Sequence, residues 1–211
     1  MLRLPRVYPI LDTESLDRLG ISLALAAAAY LEGGAAILQI RHKPHWSRDL
    51  FIASQAVARL CREAGATLII NDRADFAALL DAGLHVGQDD LFPRDARKLL
   101  GPHAIVGLSS HSAAQLAPAA GEPVDYVALG PIFATSSKRQ PDPVIGLDEI
   151  RRCRGLMEKP LVAIGGITLD NARDVFAAGA DSVAVIAGLL PATATARALR
   201  ERMEEWGRLA R

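Results

Sequence analysis

Gln39, Arg41 and Lys43 alternate along "ILQIRHKP", residues 37–44. On an extended chain every second side chain shares a face, so an amide and two cations point one way while Leu38 and Ile40 point the other. Lys138 adds a third cation in "GPIFATSSK". Arg offers a planar fork of donors and Lys a mobile point charge, a set that suits a polyanionic ligand such as a phosphate or diphosphate. Asn71, Ser109, Thr135 and Ser137 supply uncharged hydrogen-bonding groups of the kind that orient such a ligand. Asp72 and Asp90 follow two apolar runs, "TLIIN" and "GLHVG". Two carboxylates facing cations and a phosphate point to Mg²⁺, which takes one or two carboxylates and fills its shell with phosphate oxygens and water. Asp72 stands in front of "RADFAALL", where it would equally suit a helix cap.

These residues need elements to gather them. Short apolar runs recur along the chain: "VYPIL" (7–11), "AAILQI" (35–40), "TLIIN" (67–71), "GLHVG" (83–87), "AIVGLS" (104–109), "DYVALG" (125–130), "PLVAIGG" (160–166) and "SVAVIAG" (182–188). Segments of helical spacing separate most of them, including 50–64 and 171–178. Near-continuous apolar strands alternating with helices predict a parallel sheet covered on both faces. Eight such units predict a closed (β/α)8 TIM barrel of class α/β. The competing architecture is an open doubly wound sheet, but no G-x-G-x-x-G follows the first strand. No Gly-rich linker or shift in composition divides residues 1–211, so one domain is expected.

In a barrel, function collects at the C-terminal ends of the strands. Nearly every one of those ends carries polar residues or glycines. Gly165 and Gly166 end the seventh run and Gly188 the eighth. Loops there commonly bind phosphate through backbone N–H groups, and glycine lets the backbone approach; tight turns would ask for the same residues.

Composition sets the outer bounds. Half of the 211 residues are hydrophobic, and 24 Lys and Arg balance 24 Asp and Glu. A net charge near zero argues against nucleic acid or an anionic membrane as a partner. The apolar stretch 21–31 is too short to span a bilayer, and Pro5, Arg6, Pro9 and Asp12 interrupt any leader-like core. Cys61 and Cys153 read as reduced thiols of a cytoplasmic protein. The five histidines lack metal spacing, His85 reads as a core or rim residue, and no Ser-His-Asp pattern stands out. A displacement of diphosphate needs no protein nucleophile and fits that gap.

The ordered set "QIRHK", "INDRADFA", "LHVGQDDL", "VGLSSHS", "DYVALGPIFATSSK", "VAIGGIT" and "VAVIAGLL" spans nearly the whole chain. It closely resembles the thiamine-phosphate synthase family. The resemblance implies a TIM barrel that joins 4-amino-5-hydroxymethyl-2-methylpyrimidine diphosphate to 4-methyl-5-(2-phosphoethyl)thiazole, yielding thiamine phosphate and diphosphate. It implies that Gln39, Arg41, Lys43, Asn71, Ser109 and Lys138 hold the pyrimidine and its diphosphate, with Arg41, Lys43, Ser109 and Lys138 as the catalytic set. Asp72 and Asp90 would hold Mg²⁺, and Thr135, Ser137, Gly166, Ile186 and Ala187 the thiazole phosphate. It further implies a dissociative reaction and a homo-oligomer, although the sequence itself does not fix the number of copies.

Three positions depart from the family pattern. His42 replaces a Glu and should point away from the triad, Ser137 replaces a Thr, and Ala187 stands where Ser is common. If that Ser acts through its N–H, Ala suffices. The segment 136–144 has the Pro and polar content of a mobile lid. The main rival is the thiazole tautomerase of the same barrel family, whose members tend to lose the paired aspartates and carry His where this chain has Pro131. A non-catalytic phosphate-ligand binding protein is the third reading.

Overall fold

The computed structural model describes residues 2–135 and 143–209. Eight strands, β1 (Val7–Asp12), β2 (Ile37–Arg41), β3 (Thr67–Asn71), β4 (Gly83–Val86), β5 (Val106–Ser110), β6 (Tyr126–Leu129), β7 (Leu161–Ile164) and β8 (Ser182–Val185), pair in sequence order. All pairs are parallel, and β8 closes on β1 through Val7–Val183, Tyr8–Ala184 and Pro9–Val185. The expected (β/α)8 barrel is the architecture observed. The outer layer consists of α1 (Thr13–Asp17), α2 (Leu23–Glu32), α3 (Arg48–Ala64), α4 (Ala74–Leu80), α5 (Pro93–Leu100), α6 (Ala113–Gly121), α7 (Gly146–Arg154), α8 (Ala172–Ala177) and α9 (Ala196–Leu209).

Every strand is buried on both faces, which explains why each reads as an unbroken apolar run. The faces build separate cores. Leu38, Ile40, Ile70, Leu84, Val127 and Leu129 point outward against the helices. Tyr8, Ile10, Ile37, Ile69, Tyr126, Ala128, Val162 and Ala184 fill the barrel itself. Period-two alternation on β2 therefore sends Gln39 inward with Ile37, as the spacing requires.

The helices start and stop on local signals. Ser22 and Ser47 accept hydrogen bonds from Leu25 and Leu50 as N-caps of α2 and α3. Gly65 ends α3 at φ +65°. The apolar stretch 21–31, too short to span a bilayer, supplies most of α2, with Ala26, Ala27 and Ala29 buried. A Cβ at Gly33, just past its end, would sit 2.7 Å from Met203 Cβ, so α9 lies hard against that corner. Leu199, Met203 and Trp206 bury one face of α9, and Trp206 Nε1 donates to Gly188 O at 3.1 Å. Tyr30 donates to Leu189 O at 3.3 Å. Two outer helices thus fix the turn that follows β8. Among the described residues, no helix is long and apolar enough to cross a membrane.

Candidate functional site

The triad at the end of β2 occupies three depths. Gln39 lies inside the barrel, 3% exposed, where its amide donates to the Tyr8 hydroxyl at 3.0 Å. Arg41 closes the strand and donates to Asp12 Oδ2 at 2.5 Å. Asp12, directly paired with it in register, uses its other oxygen to cap α1 through Ser15 N (3.0 Å) and Ser15 Oγ (2.6 Å). Lys43 lies beyond the strand, half exposed, with Nζ 2.5 Å from Asp72 Oδ2. The triad thus runs from the interior through the mouth to the loop above it, rather than lining the mouth alone. His42 turns away as expected: Nδ1 pairs with Thr13 Oγ1 at 2.7 Å and its ring meets Trp46 edge-on.

Asp72 follows β3 with φ +65°, a left-handed conformation that carries strain for a residue with a side chain. Its N–H donates to His85 O at 2.8 Å, tying it to β4. It does not cap α4, whose N-cap is Arg73 without a side-chain cap. The capping alternative therefore falls, and the carboxylate faces the mouth. Asp90 Oδ2 accepts from Gly87 N at 2.7 Å, while Asp89 is exposed. Burial holds the Asp72 carboxyl above its ordinary range; Lys43 pulls it back, and the neighbouring Asp90 charge raises it further. A buried carboxylate with a second one beside it is a donor set suited to a hard cation. Among the described residues no cluster of three or more His, Cys, Asp or Glu side chains forms. A pair fits an ion that draws its remaining ligands from water and phosphate oxygens, the coordination habit of Mg²⁺.

Asn71, 6% exposed, ends β3 beside these carboxylates, and its Nδ2 has no hydrogen-bond partner among the described residues. A buried donor without a partner costs about 1–3 kcal/mol, a cost that a ligand accepting the bond would remove. Ser109, on the inner face of β5, pairs with His85 Nε2 at 2.9 Å. Gln88 donates to Ser109 O, linking the loop after β4 to β5.

The far rim is backbone. Ile132 N donates to Ile164 O (2.9 Å) and Phe133 N to Gly165 O (3.0 Å), which joins the loops after β6 and β7. Gly166 has φ +64°, and a Cβ there would lie 2.4 Å from Ala134 O. The tight turn foreseen for the glycines is present at this residue, and the close approach seen there is to the loop after β6. Asn171 steadies the loop by accepting from Thr168 N (2.8 Å) and donating to Gly166 O (3.0 Å). After β8, Ile186 leads into a 3-10 turn, Ala187–Leu189, with Ala187 exposed at its start. The first N–H groups of a helical turn have no partner within it. Thr135 is partly exposed on the same rim. Ser137 and Lys138 lie outside the described residues, as does most of the segment read as a lid.

Asp12, Asn171, Gln88 and the hydroxyls of Tyr8 and Tyr126 were not singled out from sequence. Asp12 obeys the strand-end rule that found the others, because it ends β1. Tyr8 and Tyr126 read as ordinary core aromatics.

The comparisons with known proteins bear on the family. A family profile described as thiamine monophosphate synthase matches residues 7–189. A thiamine-phosphate synthase of Koribacter versatilis is 48% identical over 195 residues, covering 90% of each chain. One from Laribacter hongkongensis is 42% identical over 197 residues, covering 92% of each. The solved thiamine phosphate pyrophosphorylase of Pyrococcus furiosus superposes with a TM-score of 0.83 at 31% identity, covering 97% of this chain and 95% of that one. With the profile spanning β1 to the turn after β8 and these two relatives matching over 90% or more of each chain, the chain belongs to the thiamine monophosphate synthase family.

Proposed function

We propose that the chain forms thiamine phosphate and diphosphate from 4-amino-5-hydroxymethyl-2-methylpyrimidine diphosphate and 4-methyl-5-(2-phosphoethyl)thiazole. As a family member it is an enzyme, a transferase. The observation that carries the reading is the convergence of Arg41, Lys43, Asn71, Asp72 and Asp90 on one mouth. Arg41, held by Asp12, directs its fork at the diphosphate, and Lys43 exchanges Asp72 for phosphate oxygens. Gln39, Asn71 and Ser109 orient the pyrimidine end, with Lys138 completing the cationic set. Asp72 and Asp90 hold Mg²⁺, and the chemistry supplied by that ion is neutralisation of charge on the diphosphate oxygens.

In the reaction the bond between the pyrimidine methylene carbon and the diphosphate oxygen breaks. The electron pair leaves with oxygen, and a pyrimidine-methyl cation forms. The thiazole nitrogen then donates its lone pair to that carbon, closing the new C–N bond. The protein positions the two partners and stabilises the leaving charge, and no side chain acts as nucleophile. Thr135, Ser137 and the backbone at Gly166, Ile186 and Ala187 hold the thiazole phosphate. Ala187 has no hydroxyl, so its part is its N–H at the start of the 3-10 turn. Buried free thiols at Cys61 and Cys153 support a reducing, cytoplasmic setting.

The test is a coupled assay on both substrates with Mg²⁺ or EDTA. Mg²⁺-dependent diphosphate release matched mole for mole by thiamine phosphate is the expected result. Folded protein that releases no diphosphate overturns the reading.

A further inference from the structure

A chain of polar side chains crosses the barrel beneath the mouth. Gln39 Nε2 donates to the Tyr8 hydroxyl at 3.0 Å. The hydroxyls of Tyr8 and Tyr126 lie 2.9 Å apart. The Tyr126 hydroxyl is 3.0 Å from His85 Nδ1, and His85 Nε2 is 2.9 Å from Ser109 Oγ. The five residues come from β2, β1, β6, β4 and β5, so each link spans strands. Gln39, Tyr8, Tyr126 and His85 are 3%, 1%, 0% and 7% exposed. The Tyr126 ring fits only because β5 carries Gly107, where a Cβ would lie 2.1 Å from Tyr126 Cζ. The His85 and Tyr126 rings stack with an interplanar angle of 18°.

Counting donors fixes the direction of this chain. Each hydroxyl has one hydrogen, and a neutral imidazole has one donor and one acceptor nitrogen. The Gln39 amide occupies one lone pair of Tyr8, so Tyr8 must give its hydrogen to Tyr126. Tyr126 then gives its own to His85 Nδ1, which makes Nε2 the protonated nitrogen and donor to Ser109 Oγ. With that lone pair taken, the Ser109 hydrogen turns toward the barrel mouth. The opposite direction would leave the Tyr8 hydrogen buried without an acceptor, the costly case for a polar group in a core. We propose that Gln39, Tyr8, Tyr126 and His85 form a one-way hydrogen-bond relay that fixes Ser109 as a hydrogen-bond donor to an acceptor atom of the pyrimidine substrate.

The charge states agree. The two contacts of the buried His85 ring, Tyr126 at Nδ1 and Ser109 at Nε2, suit a neutral imidazole that accepts at one nitrogen and donates at the other. Burial pushes both tyrosine hydroxyls up, which keeps them protonated. His85, Tyr8 and Tyr126 are thus positioning residues that act through Ser109. The inference rests on the proposed contact between Ser109 and the pyrimidine substrate.

The first measurement is the tautomer of His85 in the ¹⁵N-labelled protein at neutral pH, read from long-range ¹H–¹⁵N correlations. The expected state is the Nε2–H form, and an Nδ1–H form overturns the relay. The second is the kinetics of Tyr126→Phe, which removes one hydroxyl and keeps the ring. The KM for the pyrimidine diphosphate should rise about tenfold, the loss expected for one misdirected hydrogen bond. The KM for the thiazole phosphate should not move, and His85 should lose its single tautomer. An unchanged pyrimidine KM, or an equal rise in both, overturns the proposal. Should Tyr126→Phe fail to fold, the tautomer of the parent still decides. That tautomer is read without turnover, so a wrong tautomer in an active protein sinks the relay alone. An inactive parent sinks the assignment of the site.

Discussion

At the N-terminal ends of the strands, Arg97 of α5 donates to Asp125 and to the carbonyls of Pro102, Ala104 and Pro123. Arg154 of α7 repeats the arrangement with Asp181, Met157 O and Lys159 O. The two aspartates also accept from the first N–H of the preceding strand, Val106 at 2.7 Å and Leu161 at 2.8 Å. At the C-terminal ends the same pairing of Arg with Asp looks different. Among the described residues Arg41 donates to Asp12 alone, Lys43 donates to Asp72 alone, and Asn71 Nδ2 donates to nothing. Cations at the bottom are used up closing loops, whereas those at the mouth keep donors in reserve. Burial and ion pairing do not separate structural from functional charge in this barrel. Unfilled hydrogen-bonding capacity does.

That contrast can be broken at either end. The largest effect is expected from Arg41→Lys, which keeps a cation beside Asp12 and removes the fork. Its kcat/KM should fall about a hundredfold while its Tm stays near that of the parent. Steady-state kinetics beside a thermal melt checks this, and a near-parental kcat/KM would remove Arg41 from the diphosphate site. Next, Asp90→Asn should raise the Mg²⁺ concentration for half-maximal activity about tenfold, because one ligand oxygen loses its charge. A Mg²⁺ titration overlaying that of the parent would take Asp90 out of the metal site.

At the bottom, Arg97→Ala should cost about 2 kcal/mol of stability through the abandoned carbonyls and Asp125, with kcat/KM of the folded enzyme unchanged. Urea unfolding and kinetics on one preparation test both halves. The smallest effect concerns Asp72. Its carboxyl titrates above the ordinary carboxylate value in the fold, chiefly because it is buried. Relative to Asp72→Asn, the parent in EDTA should lose nothing below about pH 4, then lose stability as pH rises through the raised pKa, and level off above it. Melts of both proteins across that range should diverge with rising pH, and parallel curves would contradict the assigned shift. Asn tolerates the φ of +65° found at this position.

The barrel was legible because parallel strands buried on both faces leave unbroken apolar runs, and all eight observed strands fall on the runs read from the sequence, within three residues at each end. The strand-end rule also located Arg41, Lys43, Asn71, Asp72 and Asp90. Partners were not legible. Periodicity gives the face on which Arg41 lies, but its pairing with Asp12 depends on the register of β1 and β2. The Tyr8–Tyr126 contact joins residues 118 positions apart, through a barrel interior that no local pattern encodes. The left-handed backbone at Asp72 was equally hidden, since the helix that follows made a cap the natural alternative.

The central claim is that the mouth holds its cations for a diphosphate and the bottom does not. Calorimetric titration of inorganic diphosphate with Mg²⁺ tests it most directly, on the parent, Arg41→Lys and Arg97→Ala. The account predicts one bound diphosphate per chain, affinity weakened about tenfold or more by Arg41→Lys, and no change with Arg97→Ala. Equal affinity in all three proteins, or a loss confined to Arg97→Ala, would contradict it.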